Sequence, residues 1–313
     1  MNFAQRRPWF FLLSALVILP GVICLILSPG LKPGIDFTGG SSLTVQFPEG
    51  SKANQESIRL ELSETGYNDS KIQNTGIVTG LDGERYETFF LRTKNLTEEQ
   101  KDSLVDSLNK VFAPDSEDTL LSFDMVSAVV AEETVINALW AVLAAAVGIF
   151  FYIWWAFRNV PSPFRYGLAA IAALLHDAFI VVGIFSILGY LFEIEVNTMF
   201  LIALLTVIGY SVNDTIVVFD KIRENVLLYA NRPFYEVVNL SISETIGRSL
   251  NTSFTLLVTL LALLMFGGAT IREFLYVLII GVLAGTYSSI AIATQVLVSW
   301  EQKSLGRFVN SKS

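Results

Sequence analysis

The sequence is poor in cysteine, histidine and charge: its 313 residues include one Cys, one His and 16% charged residues. Cys24 can form no disulfide within the chain, so it says nothing about the redox compartment. One Cys and one His also cannot supply the ligand cluster of a typical metal site. Because 52% of the residues are hydrophobic, the chain is too apolar for an ordinary water-soluble protein. The composition therefore predicts an integral membrane protein.

Signatures of nucleic-acid and nucleotide binding are also missing. The chain has no basic patch for nucleic acid and no long run of like charges. The glycine-rich stretch GIDFTGGSS (34–42) lacks the lysine of a phosphate-binding loop. We expect its glycines (Gly34, Gly39 and Gly40, with Asp36 between them) to make a tight turn from the first span into a first strand. The sequence thus predicts no cofactor, no nucleic-acid partner and no enzymatic activity, and an ion gradient as the energy source for any work.

Six apolar runs are each long enough to cross about 30 Å of hydrocarbon. They cover residues 9–28, 134–157, 166–191, 197–219, 250–268 and 274–299. No cleavage site follows the first run, which favours an uncleaved anchor over a signal peptide. Six spans place both termini on one side, together with the Lys- and Arg-containing loops 158–165 and 220–249 and the tail. The positive-inside rule therefore predicts cytoplasmic termini.

An acidic segment separates the first two predicted spans. From Lys32 to Glu132 the chain has nine Lys or Arg and eighteen Asp or Glu. Long domains cross the membrane with little regard to charge, so this domain is predicted to be extracytoplasmic. Hydrophobic periodicity predicts strands at 41–47, 71–78, 86–92 and 119–130 and helices at 53–64 and 97–112. The β-α-β-β-α-β order is typical of a ferredoxin-like fold.

The predicted fold class is an α-helical integral membrane protein with six transmembrane helices and a small α+β domain. We divide the chain into a first span (1–29), the extracytoplasmic domain (30–132), a five-helix transmembrane bundle (133–300) and a cytoplasmic tail (301–313).

Polar residues in or beside the predicted spans form the candidate site. They are His176 and Asp177 in the third span, Asn213 and Asp214 in the fourth, and Arg248, Thr252, Thr255 and Thr259 at the fifth. A carboxylate at membrane depth costs about 3 kcal/mol on insertion scales, so Asp214 requires a reason. The arginine and threonines recur at helical spacing and would line one face, typical of a hydrated path through a bundle.

Structural interpretations of these residues stay open. Asp214 and Arg248 could form an ion pair without a further role, and His176 could be an ordinary buried histidine. Threonine hydroxyls in membrane helices often bond their own helix. The small residues Gly281, Gly285 and Ser289 could pack within the chain or against another subunit.

Four motifs resemble a known family. GIDFTGG (34–40), LLHD (174–177), IGYSVNDTIVVFDKIREN (208–225) and GRSLNTSFT (247–255) are similar to signatures of the SecF family. These are bacterial protein-export membrane proteins of the SecD/SecF group, in the resistance-nodulation-division superfamily. The resemblance covers essentially the whole chain.

The resemblance implies a function and partners. A SecF-type subunit would use a proton or sodium gradient, together with SecD, to promote export of preproteins through SecYEG in the bacterial cytoplasmic (inner) membrane. Asp214 and Arg248 would take part in ion coupling. SecA, a YidC-type insertase and the translocating preprotein would be further partners.

The number of spans bears on the expected partner, and two alternatives to this function stay open. Superfamily members have two homologous six-span halves and this chain has one, so a partner is expected to cover polar groups that lipid cannot satisfy. A small-molecule or lipid exporter half on the same scaffold is the alternative, and an assembly factor with purely structural polar residues is a third possibility.

Overall fold

A computed structural model describes residues 3–27, 30–80, 83–114, 119–268 and 271–301 of the chain. The described residues form two compact units. Residues 33–137 make up one unit, and the described residues before and after them make up the other. Apart from Glu301, the predicted tail at 301–313 lies outside the described residues.

Ten α-helices and four β-strands occur in the described residues. They are α1 (Arg7–Leu27), α2 (Ile35–Thr38), β1 (Gly40–Pro48), α3 (Gln55–Glu64), β2 (Lys71–Thr79), β3 (Arg85–Thr93), α4 (Glu98–Phe112), β4 (Leu120–Val126), α5 (Ala128–Ala156), α6 (Pro163–Phe192), α7 (Thr198–Leu228), α8 (Phe234–Phe266), α9 (Arg272–Ser288) and α10 (Thr294–Glu301). A 3-10 turn, Ala4–Arg6, precedes α1, and a π-helical segment, Ser289–Ala293, joins α9 to α10.

Six helices of the described chain are long and apolar enough to cross a membrane, which confirms the predicted number of spans. They are α1 with its preceding turn, α5, α6, α7, α8 and the continuous helix from Arg272 to Glu301. The protein is therefore a multi-pass membrane protein.

The predicted loop at 220–249 is wrong, because most of it is helical. Helix α7 continues to Leu228 and α8 begins at Phe234, so only residues 229–233 connect them. The apolar runs end where charged residues begin, but both helices continue as a hairpin with a buried apolar seam. Phe219 and Ile222 of α7 and Ile242 of α8 are fully buried there.

Helix α7 lies at the centre of the bundle, packed against α6, α8 and α9. Small residues bring α9 close to it. A Cβ at Gly285 would lie 2.8 Å from Cβ of Ser211, and a Cβ at Gly281 would overlap the side chain of Val207. Ser289 is also fully buried. The packing within the chain that the sequence left open for these residues is thus confirmed.

The other unit contains a four-stranded antiparallel sheet in the order β2-β3-β1-β4. Its core consists of alternate side chains of β1 and β3 that pack against α3 and α4. The fully buried members include Leu43, Val45, Phe47, Phe89, Ile58, Leu104 and Leu108. Helix α4 begins with a capping box between Thr97 and Gln100.

The strand predicted at 119–130 is too long. It ends at Val126, and α5 already begins at Ala128. The side chain of Ser127 accepts a hydrogen bond from the amide of Val130 at 3.3 Å, which is the geometry of a helix N-cap. The apolar run after Ser127 is compatible with either a strand or a helix, and this cap starts the helix.

The glycine-rich motif forms one helical turn instead of the predicted tight turn. Gly34 precedes α2, which contains Asp36, and Gly39 and Gly40 follow it with φ of 71° and 129°. These positive φ values strongly favour glycine. A Cβ at Gly40 would also lie 2.8 Å from the carbonyl oxygen of Thr93. The motif therefore shapes the entry into β1.

Candidate functional site

Two hydrogen-bonded clusters of polar side chains lie inside the helical bundle. The Asp177 cluster consists of Ser14, His176, Asp177, Ser211, Tyr287 and Ser288. The Asp214 cluster consists of Tyr210, Asp214, Ser253 and Thr286. Both include residues of α7 and α9, the helices that the glycines of α9 bring together.

Asp177 is completely buried, and both of its oxygens take part in hydrogen bonds. Oδ1 lies 2.9 Å from Nδ1 of the neighbouring His176. Oδ2 accepts bonds from the hydroxyls of Ser211 on α7 and Ser288 on α9, the latter at 2.7 Å. His176 and Asp177 of α6 are thus held by groups from two other helices.

The far side of His176 faces α1. Its Nε2 lies 3.0 Å from Oγ of Ser14, and Ser14 donates to the hydroxyl of Tyr287 at 3.2 Å. Tyr287 in turn donates to the backbone carbonyl of Phe10 at 2.7 Å. A continuous chain of polar groups therefore runs from the backbone of α1 to the Asp177 carboxylate.

Asp214 is 3% exposed and accepts a hydrogen bond from Ser253 of α8 at 3.4 Å. The Ser253 hydroxyl also lies 3.2 Å from the Tyr210 hydroxyl and 2.6 Å from Oγ1 of Thr286. Tyr210 shares a face of α7 with Asp214, as helical spacing predicts. Asp214 thus has neutral hydroxyl groups around it and one weak hydrogen bond.

The structure does not bring Arg248 to Asp214. Arg248 is exposed in this chain, and the ion pairs of the described residues do not include one between them. The buried face of α8 instead carries Ser249 and Ser253. Each step along an α-helix rotates the side chain by about 100°, so Arg248 points away from the face that carries Ser249.

Other predicted site residues also lie outside the clusters. The α8 stripe (Arg248, Thr252, Thr255 and Thr259) is exposed, and so is Asn213 on α7. The stripe threonines donate to carbonyls of their own helix, for example Thr252 to Arg248 at 3.1 Å and Thr259 to Thr255 at 3.1 Å. The interpretation that these hydroxyls bond their own helix is therefore confirmed.

The sequence left the hydroxyl partners of the two carboxylates unidentified. Ser14 and Tyr287 are far from His176 in sequence, and Ser288 is far from Asp177. Serines are common in membrane helices, where many bond their own backbone, so no pattern marked these ones. Ser253 directly follows Thr252 of the predicted stripe, but the sequence did not indicate that it contacts Asp214.

An open and mainly apolar cavity lies beside the clusters, between α1, α8 and α9. Its walls include Phe10, Phe254 and Leu283. Ser253 of the Asp214 cluster and Tyr287 of the Asp177 cluster also border it. The bundle therefore has an opening that reaches the edge of each cluster.

The chemistry available here is that of buried carboxylates. No group of three or more His, Cys, Asp or Glu side chains that could hold a metal ion occurs in the part of the chain that the structure describes. Asp177 and Asp214 lie on neighbouring helices, and Ser211, which binds Asp177, is three residues before Asp214 on α7. Such carboxylates can bind and release protons or a small cation.

Comparison with known proteins gives a consistent result. Residues 106–303 match the family described as "Protein export membrane protein SecD/SecF, C-terminal", and residues 25–47 match the "SecD/SecF GG Motif". The "Protein translocase subunit SecF" of Thermobaculum terrenum is 44% identical over 306 residues, covering 97% of this chain and 95% of that protein. The corresponding subunit of Anaerolinea thermophila is 39% identical, with coverage of 96% and 94%.

Two longer proteins are also similar. The "Protein translocase subunit SecDF" of Bacillus subtilis is 33% identical over 97% of this chain and 38% of its own length. A solved structure described as "Crystal structure of SecDF in Super-membrane-facing form" aligns with a TM-score of 0.65 and 32% identity. The alignment covers 97% of this chain and 39% of the solved one. The chain thus spans about two fifths of each SecDF protein.

Proposed function

Because the chain belongs to the SecD/SecF family of protein-export membrane proteins, we propose that it is a non-enzymatic, SecF-type accessory subunit of a bacterial protein translocase. It acts with SecD and uses a proton or sodium gradient to promote export of preproteins through SecYEG. The observation that carries this proposal is the 44% identity to a SecF translocase subunit along nearly the whole of both chains. SecA and a YidC-type insertase are the further proposed partners.

SecD is the partner with the most direct support. The similar protein of Bacillus subtilis is named SecDF, and this chain aligns with 38% of it. In this chain α8 exposes Arg248 and three threonines, although lipid is a poor surrounding for a guanidinium. We place the contact with SecD on this stripe, where polar groups of the partner can satisfy it.

The proposed coupling site combines the two clusters with Arg248, Thr252 and Thr255 of the α8 stripe. Asp214 is the group whose charge changes during the work cycle, because it is buried and held by one long hydrogen bond. Arg248 supplies the positive charge, and it does so from the face covered by SecD. Thr252, Thr255 and Asn213 lie next to the proposed ion path between Arg248 and Asp214. His176 and Asp177 form the end of this path inside the bundle.

The proposed topology follows from the distribution of charge. The chain lies in the bacterial cytoplasmic (inner) membrane with both termini in the cytoplasm, because the positive-inside rule favours this orientation. Residues 30–132 form an extracytoplasmic domain, for which we propose a ferredoxin-like fold. Its element order and its sheet order β2-β3-β1-β4 support this assignment. Residues 133–300 form the five-helix bundle, and 301–313 form the tail.

Export in membrane vesicles tests the coupling role. Asp214→Asn keeps the side-chain size and removes the charge, whereas Thr206→Ala changes an exposed α7 residue that bonds only its own helix. With SecD present, we expect precursor export by Asp214→Asn vesicles to be the same with and without an imposed gradient. Thr206→Ala vesicles should keep the gradient stimulation of the parent chain.

Two outcomes would contradict parts of the proposal. Full gradient stimulation with Asp214→Asn, at equal protein level, would mean that Asp214 has a structural role only. A parent chain that co-purifies with a hydrophobic small molecule, and not with SecD or channel subunits, would favour the exporter. Imposing proton and sodium gradients separately identifies the driving ion.

A further inference from the structure

We propose that the His176–Asp177 pair holds two protons in the folded protein and is a proton-binding site separate from Asp214. A neutral histidine and an ionised aspartate together carry one dissociable proton. The hydrogen bonds around this pair require two.

The outer end of the chain sets the direction of every bond. The carbonyl oxygen of Phe10 can only accept, so the hydroxyl hydrogen of Tyr287 points to it. The Tyr287 oxygen therefore accepts the hydrogen of Ser14. Since Ser14 has only one hydroxyl hydrogen, its oxygen must accept from Nε2 of His176 at 3.0 Å. Nε2 thus carries a proton.

The inner end of the chain requires a second proton. Nδ1 of His176 lies 2.9 Å from Oδ1 of Asp177, a distance that needs a hydrogen between the two atoms. That hydrogen belongs either to an imidazolium or to a carboxylic acid. In both cases the pair holds two protons and has no net charge.

The surroundings of the pair contain no other compensating charge. Ser14 faces it from α1, Ser211 from α7, and Tyr287 and Ser288 from α9, all of them neutral hydroxyl groups. The other buried ionisable group nearby on α7, Asp214, is an acid. No Lys or Arg is buried among the residues that the structure describes. An additional negative charge on the pair would therefore be buried without a counter-charge, which is strongly unfavourable.

The pair is placed where helix movement would affect it. Two of its hydrogen-bond donors come from α7 and α9, and Ser288 immediately precedes the π-helical segment, a feature often found at functional sites. A shift of α7 against α9 changes the donors at Oδ2 and hence the position of the shared proton. The role of this proton in the work cycle rests on the proposed function, whereas its presence does not.

His176 is the single histidine of the chain, so nitrogen NMR can observe it directly. The sample is the full chain in lipid nanodiscs at neutral pH, labelled with nitrogen-15 histidine, purified with a histidine-free tag and with SecD where it co-purifies. The resonances of His176 are those absent from a His176→Gln sample. Infrared spectra of the same preparation report a protonated carboxyl group, assigned to Asp177 by its loss in Asp177→Asn.

Two results support the proposal. Either both ring nitrogens bear hydrogen, or one does and Asp177 shows a carboxylic-acid band. A ring with one bare nitrogen and no such band would overturn it. In Asp177→Asn we expect only one ring nitrogen to bear hydrogen and the carboxylic-acid band to be absent, and in Asp214→Asn we expect the His176 resonances to stay as in the parent chain. Because these spectra do not depend on export, they can refute the proton-binding site while gradient-dependent export is observed. They can equally support the site when such export is absent.

Discussion

Gly285→Ala places a methyl group where α9 meets α7 and should destabilise the bundle at the Asp177 cluster. The new Cβ would lie 2.8 Å from Cβ and 3.1 Å from Oγ of Ser211. The helices must move apart, since real Cβ atoms do not approach so closely. Because Ser211 donates to Asp177, the same displacement weakens a hydrogen bond to a buried polar pair.

The two effects set the expected magnitude. Overpacking of a tight contact costs about 1 to 3 kcal/mol. Loss of a hydrogen bond to a charged group costs about 1.5 to 3 kcal/mol. The effects share one displacement and do not add fully, so we expect a loss of about 3 kcal/mol in unfolding free energy. For a folded unit of about 150 to 250 residues, this loss of unfolding free energy corresponds to a decrease of about 6 to 12 °C in melting temperature.

Thermal unfolding of the purified protein in nanodiscs measures this decrease. Gly209→Ala is the matched control, because a Cβ at Gly209 meets no atom within 4 Å. Since alanine favours helices over glycine by about 1 kcal/mol, the control should be as stable as the parent chain or slightly more so. If Gly285→Ala and Gly209→Ala melt at the same temperature, the close α7–α9 contact is not a feature of the folded protein.

Two further predictions concern topology and the α8 stripe. A reporter fused near Ser70 should be extracytoplasmic and one near Tyr229 cytoplasmic, because Lys and Arg are concentrated in the loops predicted to be cytoplasmic. Accessibility labelling in intact cells measures the location of each reporter. The inverse pattern would refute the orientation. Arg248→Met should fold, since Arg248 makes no ion pair with Asp214, and should assemble with SecD, since methionine keeps the apolar length of the side chain at the contact. It should lose gradient-stimulated export in vesicles. Thr259→Ala, on the same stripe, should retain that stimulation, and an Arg248→Met chain with full stimulation would exclude the guanidinium from coupling.

Features that depend on local sequence were predictable. Apolar length alone identified the six spans, because crossing hydrocarbon requires about twenty residues in a helix. Alternating and helical periodicities identified β1, β2, β3, α3 and α4, whereas α2 was not predicted and the last strand was predicted to continue beyond Val126. Charged residues misled the prediction at 220–249, where two helices continue beyond the apolar runs, and at the start of α5, which begins at Ala128 and not at 134.

The composition of the candidate site depended on tertiary structure. Sequence spacing showed that Arg248, Thr252 and Thr255 share a face of α8, and the fold decided that this face is exposed in the chain. Periodicity determines which residues lie together on a helix, but the rotation of that helix is set by packing against its neighbours. The opposite face of α8 therefore brings Ser253 to Asp214.

The Asp177 cluster shows most clearly which features follow from the sequence and which follow from the tertiary structure. The sequence by itself determined that His176 and Asp177 are adjacent and at membrane depth, because both follow from position within one apolar run. Only the tertiary structure decided that Ser14, Ser211 and Ser288 surround them. These residues come from three other helices, and their meeting depends on close contacts that glycines such as Gly285 allow. Small residues at helical spacing indicate that a helix can pack closely, but which helix it meets depends on the packed surfaces, and no local pattern in the chain encodes that choice.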